Sequence, residues 1–127
     1  MSAQPSVLVL DDYPDAAEAV AAWLCLAGWN AICTTTVEDA LSRLRLQRPS
    51  AVIMEPYLRA GSALPVAMAA RKADVCPLLI ALTWSARTGD HTAYEPTLFD
   101  FNFPKPVSMQ RLAAALESIQ RPSGRIC

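Results

Sequence analysis

The sequence has little clustered positive charge and no long hydrophobic run. Its only adjacent cations are Arg71 and Lys72, and its formal net charge is -1. Nucleic acids and anionic membranes are bound through clustered positive charge, so the composition favours neither as a partner. The longest apolar stretch, residues 19–28, is about half of the roughly 20 residues that a membrane-spanning helix needs. Because residues 1–5 lack the basic start of a signal peptide, we expect a cytoplasmic protein.

Metal-binding and disulfide patterns are also absent from the sequence. The cysteines at positions 25, 33, 76 and 127 have no C-x-x-C spacing, and the one histidine, His91, is not clustered with them. Such spacing argues against a zinc site and against a disulfide framework. We expect the cysteines to be small core residues, apart from one thiol in the tail. We expect His91 to be a solvated residue of a polar segment.

The length and hydrophobicity of the chain predict one folded domain. Of its 127 residues, 53% are hydrophobic, which is enough for one core and too little for two. We assign residues 5–120 to this domain. Residues 121–127 include Pro122 and Gly124, and we expect them to form a flexible tail.

Short apolar runs alternate with helical patterns along the whole chain. The runs predict five strands, at residues 6–10, 29–34, 51–54, 78–82 and 99–103. Helical patterns follow at residues 15–27, between Thr36 and Pro49, and at 63–73 and 108–119, with a short or distorted fourth helix at 85–96. Strands that are almost wholly apolar predict a parallel sheet covered on both faces. Right-handed crossovers then give an α/β fold with three layers, a doubly wound five-stranded parallel sheet.

Local signals mark the ends of several predicted helices. Gly28 follows the first helix as its C-terminal cap, and Ser108 precedes the last helix as its N-cap. Thr36 and Asp39 resemble a capping box with aspartate in place of glutamate. Pro65 falls in the first turn of the third helix, where proline is tolerated.

Polar residues follow four of the predicted strands. Asp11 and Asp12 follow the first strand and Glu55 the third, while Thr83 follows the fourth and Lys105 the fifth. The carboxyl ends of parallel strands meet at one edge, where open α/β sheets place their sites. We therefore expect these side chains to lie close together. Three carboxylates, a hydroxyl and an amine can bind a divalent cation and handle a phosphoryl group.

Each of these signals also has a purely structural alternative. Asp12 or Asp15 can cap the first helix while Asp11 is solvated. Thr83 can simply end a strand. A lysine before Pro106 is biased towards an extended or cis-peptide geometry, but the dipeptide alone is a weak signal. The joint arrangement is much more specific than any member.

At this point the chain resembles the receiver domain of two-component response regulators, over residues 6–119. The motifs that carry the resemblance are Val-Leu-Val-Leu-Asp11-Asp12, the strand that ends at Glu55, Leu82-Thr83, and Phe99-Asp-Phe-Asn-Phe-Pro-Lys-Pro-Val107. The resemblance implies a flavodoxin-like, receiver-like (βα)5 fold. It also implies a role in bacterial-type phosphorelay signalling.

The resemblance implies a Mg²⁺ site at the carboxyl edge. In receiver domains the paired acids bind Mg²⁺ with the aspartate that ends the third strand and the backbone carbonyl two residues later. By position, these metal ligands fall on Asp11, Asp12, Glu55 and the carbonyl of Tyr57. Mg²⁺ is therefore the cofactor that the resemblance implies.

The resemblance also assigns phosphoryl and switch positions. The phosphoacceptor position falls on Glu55, and the phosphoryl-contacting hydroxyl and lysine fall on Thr83 and Lys105. The switch position, which is often aromatic in receivers, falls on Asn102.

The chain departs from the receiver pattern at the phosphoacceptor itself. Glu55 is one methylene longer than aspartate, which moves its carboxylate outward by about 1.5 Å. We expect an ionised Glu55 paired with Lys105, either as a partial imitation of a phosphoryl group or as a pair that transmits no signal. Pro56 stiffens the following loop, and Arg59 places a cation near the implied cation site. Trp84 stands where a small residue would leave room for a phosphoryl group.

These departures predict an atypical receiver, or pseudo-receiver, that is not an enzyme. It would act without aspartyl phosphorylation, as a monomer or weak homodimer. Its output would be contact with a histidine kinase or a downstream signalling protein, through the fourth helix, fifth strand and last helix. We expect no DNA-binding or catalytic output domain in this chain.

Two alternatives remain open from the sequence. One is a functional Mg²⁺-dependent phosphoreceiver with slow transfer to Glu55, which predicts a mass change with a phosphodonor. The other is a small metal-dependent phosphotransfer or phosphatase enzyme with Asp11 or Asp12 as nucleophile. That enzyme would turn over small phosphate esters.

Overall fold

A computed structural model describes residues 6–84 and 96–120 of the chain. Its strands, in chain order, are β1 (Ser6–Leu10), β2 (Asn30–Thr34), β3 (Ala51–Met54), β4 (Tyr57–Leu58), β5 (Gly61–Ser62), β6 (Leu78–Trp84) and β7 (Phe101–Lys105). The helices are α1 (Pro14–Leu26), α2 (Val37–Gln47), α3 (Leu64–Arg71) and α4 (Met109–Leu116), with 3₁₀ turns at Pro96–Leu98 and Glu117–Gln120.

Five of the strands form one parallel sheet with the order β2-β1-β3-β6-β7. The register pairs Leu10 with Met54, and Met54 with Ala81, so the carboxyl ends of the central strands are level. This is the predicted doubly wound order, in which the chain moves outward from β1 in both directions. The α/β fold with a five-stranded parallel sheet is confirmed.

Alternate side chains of the strands enter two separate core clusters, one on each face of the sheet. In β1, Val7 and Val9 pack into the cluster that includes Leu24 of α1 and residues of α4. Leu8 and Leu10 pack into the cluster formed with α2 and α3. Because successive strand residues point to opposite faces, a strand buried on both sides is apolar throughout. The two clusters confirm the predicted three layers.

The predicted helix signals are present. Gly28 follows α1 with a φ of 99°, a left-handed backbone conformation that glycine adopts without strain. Thr36 is the N-cap of α2, and its hydroxyl accepts a hydrogen bond from the Asp39 N–H at 3.1 Å. The Asp39 carboxylate pairs with Arg43 one turn later. Ser108 caps α4 by accepting from the Arg111 N–H at 3.0 Å.

The fifth sheet strand lies two residues later than predicted. The prediction placed it at 99–103, whereas β7 spans Phe101–Lys105. Phe99 instead packs into the α2–α3 side of the core, and the alternating aromatic residues fit either position of the strand. Pro104 did not end the strand, because β7 lies at the edge of the sheet, where a residue without an N–H is tolerated.

The segment after β3 also differs from the prediction, which had only a loop there. Tyr57 pairs with Ser62, and Leu58 with Gly61, to form an antiparallel hairpin of β4 and β5. Gly61 has a φ of 139°, which side-chain-bearing residues rarely adopt. Leu58 is 8% exposed and anchors the hairpin in the core.

The cysteine prediction is correct in part. Cys25 and Cys33 are free thiols, but Cys25 is exposed and is not the core residue that was predicted. Burial raises the pKa of the Cys33 thiol, with further raising by Glu18 and Asp11. A raised pKa lowers the fraction of the reactive thiolate at neutral pH. Cys76 is disulfide-bonded, contrary to the prediction, because the spacing of cysteines does not report which of them the fold brings together.

Several predictions fall on residues that the structure does not describe. These are most of the fourth helix, His91, and the tail at 121–127. Within the described residues, none of the helices combines the length and the apolar character that crossing a membrane requires.

The cap of α2 gives a test of the local structure. We expect Thr36→Ala to lower the free energy of unfolding by about 1 kcal/mol, because the Asp39 N–H loses its acceptor. Thr36→Ser keeps a hydroxyl and should lose only a few tenths of that amount. Urea unfolding of the three proteins measures the difference, and equal midpoints for alanine and serine would show that the cap adds nothing.

Candidate functional site

The predicted acids and lysine lie at the carboxyl edge of the sheet. Asp11 and Glu55 directly follow β1 and β3, whose last residues are paired in register. The Glu55 N–H donates to the carbonyl of Leu10 at 3.0 Å, which continues the parallel pairing beyond the strands. Lys105 is the last residue of β7, and the Lys105–Pro106 peptide bond is cis.

Lys105 joins two carboxylates. Its ammonium lies 2.7 Å from Asp11 Oδ2 and 3.3 Å from Glu55 Oε1. The side chains of Lys105, Asp11 and Glu55 are 11%, 9% and 2% exposed, so the three charges are largely removed from solvent. The expected pair between Glu55 and Lys105 is therefore present, and Asp11 is the nearer of the two carboxylates.

Backbone N–H groups hold the other oxygens of these two carboxylates. Glu55 Oε2 accepts from the Tyr57 N–H at 3.2 Å, and Asp11 Oδ1 accepts from the Tyr13 N–H at 3.0 Å. Both are bonds to the residue two positions later, the local pattern that acidic side chains form at turns. Hydrogen bonds to ionised groups stabilise the charged form.

Asp12 has a separate cationic partner in the β4–β5 hairpin. Asp12 Oδ2 accepts from the Arg59 N–H at 2.5 Å and lies 3.5 Å from Arg59 Nε. Arg59 Nη2 also donates to the Asp12 carbonyl at 3.1 Å. The same guanidinium lies over the Tyr13 ring, 4.5 Å from its centre.

The two remaining predicted positions, Thr83 and Asn102, lie on the neighbouring strands β6 and β7. Thr83 is half-buried in β6 and is paired in register with Pro104 of β7. The next residue, Trp84, is registered with Lys105. Asn102 is exposed on β7 and is registered with Ala81. Thr83 therefore lies one residue before Trp84, the residue of β6 that is level with Lys105.

A cavity of about 210 Å³ lies beside the ion group, between the sheet and α1. Apolar residues such as Val20 and Ile53 line it, along with Asp11, Glu55 and Lys105. It is smaller than the 300–1,000 Å³ typical of ligand sites. An apolar lining lowers the local dielectric constant and strengthens the ion pairs beside it.

The positions and partners of Asp11, Asp12 and Glu55 do not suit the Mg²⁺ site that the resemblance to receiver domains implies. The described residues contain no group of three His, Cys, Asp or Glu that could hold a metal ion. Lys105 already engages Asp11 and Glu55, and Arg59 engages Asp12. One buried oxygen, Asp12 Oδ1, has no hydrogen-bond partner among the described residues. A metal ion could reach it only in competition with the two cations, and Mg²⁺ binding by this chain stays a prediction.

Two features of the site were missed by the sequence analysis. The first is that Asp11 is the nearer partner of Lys105. The second is the attachment of Arg59 to Asp12 and Tyr13, across 47 positions of sequence. The sequence predicts that Arg59 is a cation near the acids. The direction of its side chain depends on the β4–β5 hairpin, which was predicted to be a loop.

Comparison with known proteins gives one curated relative. No protein-family model matches the chain. The chain is 29% identical over 119 residues to a Mycobacterium tuberculosis protein described as the probable transcriptional regulatory protein TcrX. The alignment covers 94% of this chain and 51% of that protein, so the chain spans about half the length of the relative.

Solved structures of receiver domains are similar over nearly the whole chain. A CheY-like receiver domain from Methylobacillus flagellatus has a TM-score of 0.76 and 24% identity, with 92% of this chain and 99% of that chain covered. A receiver protein from Pseudomonas putida has a TM-score of 0.78 and 22% identity, with coverages of 93% and 99%. The Thermotoga maritima response regulator TrrA, solved in complex with Mg²⁺-BeF, has a TM-score of 0.77 and 22% identity, with coverages of 91% and 99%. The chain therefore has the fold of response-regulator receiver domains.

Proposed function

We propose that the chain is an atypical receiver module of two-component signalling that acts by contact with another protein, without phosphoryl transfer to Glu55. The observation that carries this proposal is the engagement of the Glu55 carboxylate. Its Oε1 lies 3.3 Å from the Lys105 ammonium, its Oε2 accepts from the Tyr57 N–H, and the side chain is 2% exposed. A carboxylate held in this way is poorly placed to attack a phosphodonor from solution.

The length of the Glu55 side chain supports the same conclusion. The extra methylene moves the carboxylate by about 1.5 Å relative to aspartate. In-line attack requires the reacting atoms to be about 3–3.5 Å apart and aligned, and a misplacement of about 1 Å can cost roughly 100-fold in rate. Glu55 forms an ion pair with Lys105 and accepts a hydrogen bond from the Tyr57 N–H, so a shift of the carboxylate that corrected this error would disrupt both contacts.

The charge of Glu55 takes the place of part of a phosphoryl charge. Lys105 is the residue whose position matches the phosphoryl-contacting lysine, and Glu55 supplies it with a permanent anion. One carboxylate charge is less than the roughly -1.5 to -2 of a phosphoryl group. Asp11 adds a second anion at 2.7 Å from the same ammonium. Lys105 is thereby held in one place without any modification of the chain.

The proposed contact surface includes β7 and α4, and the predicted fourth helix, also assigned to it from the sequence, lies outside the described residues. β7 is an edge strand, and Asn102, at the switch position, is exposed on it. The Arg111 guanidinium of α4 lies 5.7 Å from the centre of the Phe103 ring. Since this contact joins α4 to β7, the two elements offer a partner one continuous face. The proposed partner is a histidine kinase or a downstream signalling protein.

One prediction of the proposed function concerns phosphorylation. After incubation with Mg²⁺ and acetyl phosphate, wild-type protein should keep its unmodified intact mass. Glu55→Asp, which restores the shorter carboxylate, should gain one phosphoryl group at saturating Mg²⁺. A stable phosphoryl group on Glu55 of the wild type would contradict the proposal and favour the functional phosphoreceiver.

Glu55→Gln is the matched control for this experiment. It keeps the length of the side chain and removes the nucleophilic carboxylate. Any phosphoryl group that this variant gains must therefore be on a residue other than position 55. A label on Asp11 or Asp12, with release of inorganic phosphate, would favour the small phosphotransfer enzyme instead.

Another prediction of the proposed function concerns the stability that Lys105 provides. We expect Lys105→Met to lower the free energy of unfolding by about 3–5 kcal/mol, because it leaves two buried carboxylates without their shared cation. Glu55→Gln added to Lys105→Met should recover part of this loss, since it removes one uncompensated charge. Denaturant unfolding of the wild type, both single variants and the double variant gives the coupling energy. Additive effects within about 0.5 kcal/mol would mean that Glu55 and Lys105 do not act as a pair.

A further inference from the structure

We propose that Arg59 is a resident cation that occupies Asp12 in place of a divalent metal ion, so that the acid group of this chain is balanced by its own side chains. This goes beyond the proposed function, because it would hold whether or not Glu55 accepts a phosphoryl group. The three carboxylates at the implied Mg²⁺ site already contact two cations of the chain, Lys105 and Arg59.

Arg59 contacts Asp12 with its backbone as well as its side chain. The Arg59 N–H donates to Asp12 Oδ2, Nε lies 3.5 Å from the same oxygen, and Nη2 donates to the Asp12 carbonyl. An exposed ion pair alone contributes little to stability, and the Arg59 side chain is 64% exposed. The backbone bond differs, because it fixes the position of the carboxylate, whose side chain is only 13% exposed.

Tyr13 provides a second support for the guanidinium. The ring centre lies 4.5 Å from Arg59 Cζ, within the range of a cation–π contact. Tyr13 directly follows Asp12 and precedes α1, and it is 48% exposed. The contact explains why a large aromatic residue is left half in solvent at this point. The guanidinium that contacts Tyr13 also contacts Asp12.

The β4–β5 hairpin determines where the cation stands. Arg59 and Ala60 form the two-residue turn between the paired residues Leu58 and Gly61. Leu58 is buried, and Gly61 supplies the positive φ that closes the turn. Because both ends of the turn are fixed, the Arg59 N–H is presented to Asp12 by the backbone rather than by a flexible side chain.

The charge balance of the site then opposes a metal ion. Asp11, Asp12 and Glu55 carry three negative charges, and Lys105 and Arg59 carry two positive charges among them. A divalent cation would meet one net negative charge instead of three. It would also find one oxygen of Asp12 already occupied by an N–H. Mg²⁺ requires near-ideal octahedral geometry, which a carboxylate fixed in this way does not readily provide.

The test is direct binding of Mg²⁺ to the unphosphorylated chain, measured by isothermal titration calorimetry, with Mn²⁺ electron paramagnetic resonance as a second readout. Arg59→Gln removes the charge and retains a side chain of similar shape. We expect this variant to bind Mg²⁺ at least about tenfold more tightly than the wild type, because one repelling charge near the ion is gone. Arg59→Lys keeps the charge and should stay close to the wild type.

Asp12→Asn in the Arg59→Gln background is the control for the position of the ion. It should abolish the gained affinity if the ion binds at Asp12. Equal Mg²⁺ affinities for the wild type and Arg59→Gln, including no binding by either, would overturn the proposal. So would a gain that survives Asp12→Asn. Because no phosphodonor is present, these outcomes are independent of whether Glu55 can be phosphorylated.

Discussion

The burial of the Lys105 ammonium between two carboxylates is the constraint on which the carboxyl edge of the sheet depends. A buried charge is tolerated only when it is paired and hydrogen-bonded. Lys105 comes from β7, while Asp11 and Glu55 follow β1 and β3, so the pairing depends on the register of these strands, in which Met54 and Asn102 are both level with Ala81. The apolar residues of the strands set the sheet register, and the register in turn brings the charges together. A slip of one residue would leave an ion unpaired.

The sequence was sufficient for most of the fold because the relevant signals are local. Gly28 and Thr36 mark helix ends by their own backbone and side-chain chemistry, and both act as predicted. The strand β7 was misplaced by two residues because its alternating aromatic residues satisfy two positions equally. Phe99 lies outside the strand because it packs into the core. Pro104 lies within the strand because β7 is at the edge of the sheet. Those are properties of the assembled sheet.

The site was predictable to the extent that it depends on strand ends. Glu55 and Lys105 each follow or end a strand, and parallel strands bring such residues together. The preference of Lys105 for Asp11 is a difference between 2.7 and 3.3 Å, which no sequence pattern encodes. The Asp12–Arg59 contact depends on a hairpin whose one sequence signal is Gly61, a residue read as part of a loop. Long-range contacts of loop residues are therefore the part of this site that the sequence does not reveal.

The proposed function and the proposed role of Arg59 lead to one physical consequence for signalling. A ligand shifts an equilibrium only by its differential affinity for two states. In receiver domains that accept a phosphoryl group, the covalent group would provide that difference, whereas under the proposed function Glu55 and Arg59 already engage Lys105 and Asp12. Under the proposed function, a sheet edge with one stable charge arrangement would leave the β7–α4 face in one main conformation as well. The signal must then lie in the amount of this protein or in the state of its partner, and the chain would act as a constant binding surface.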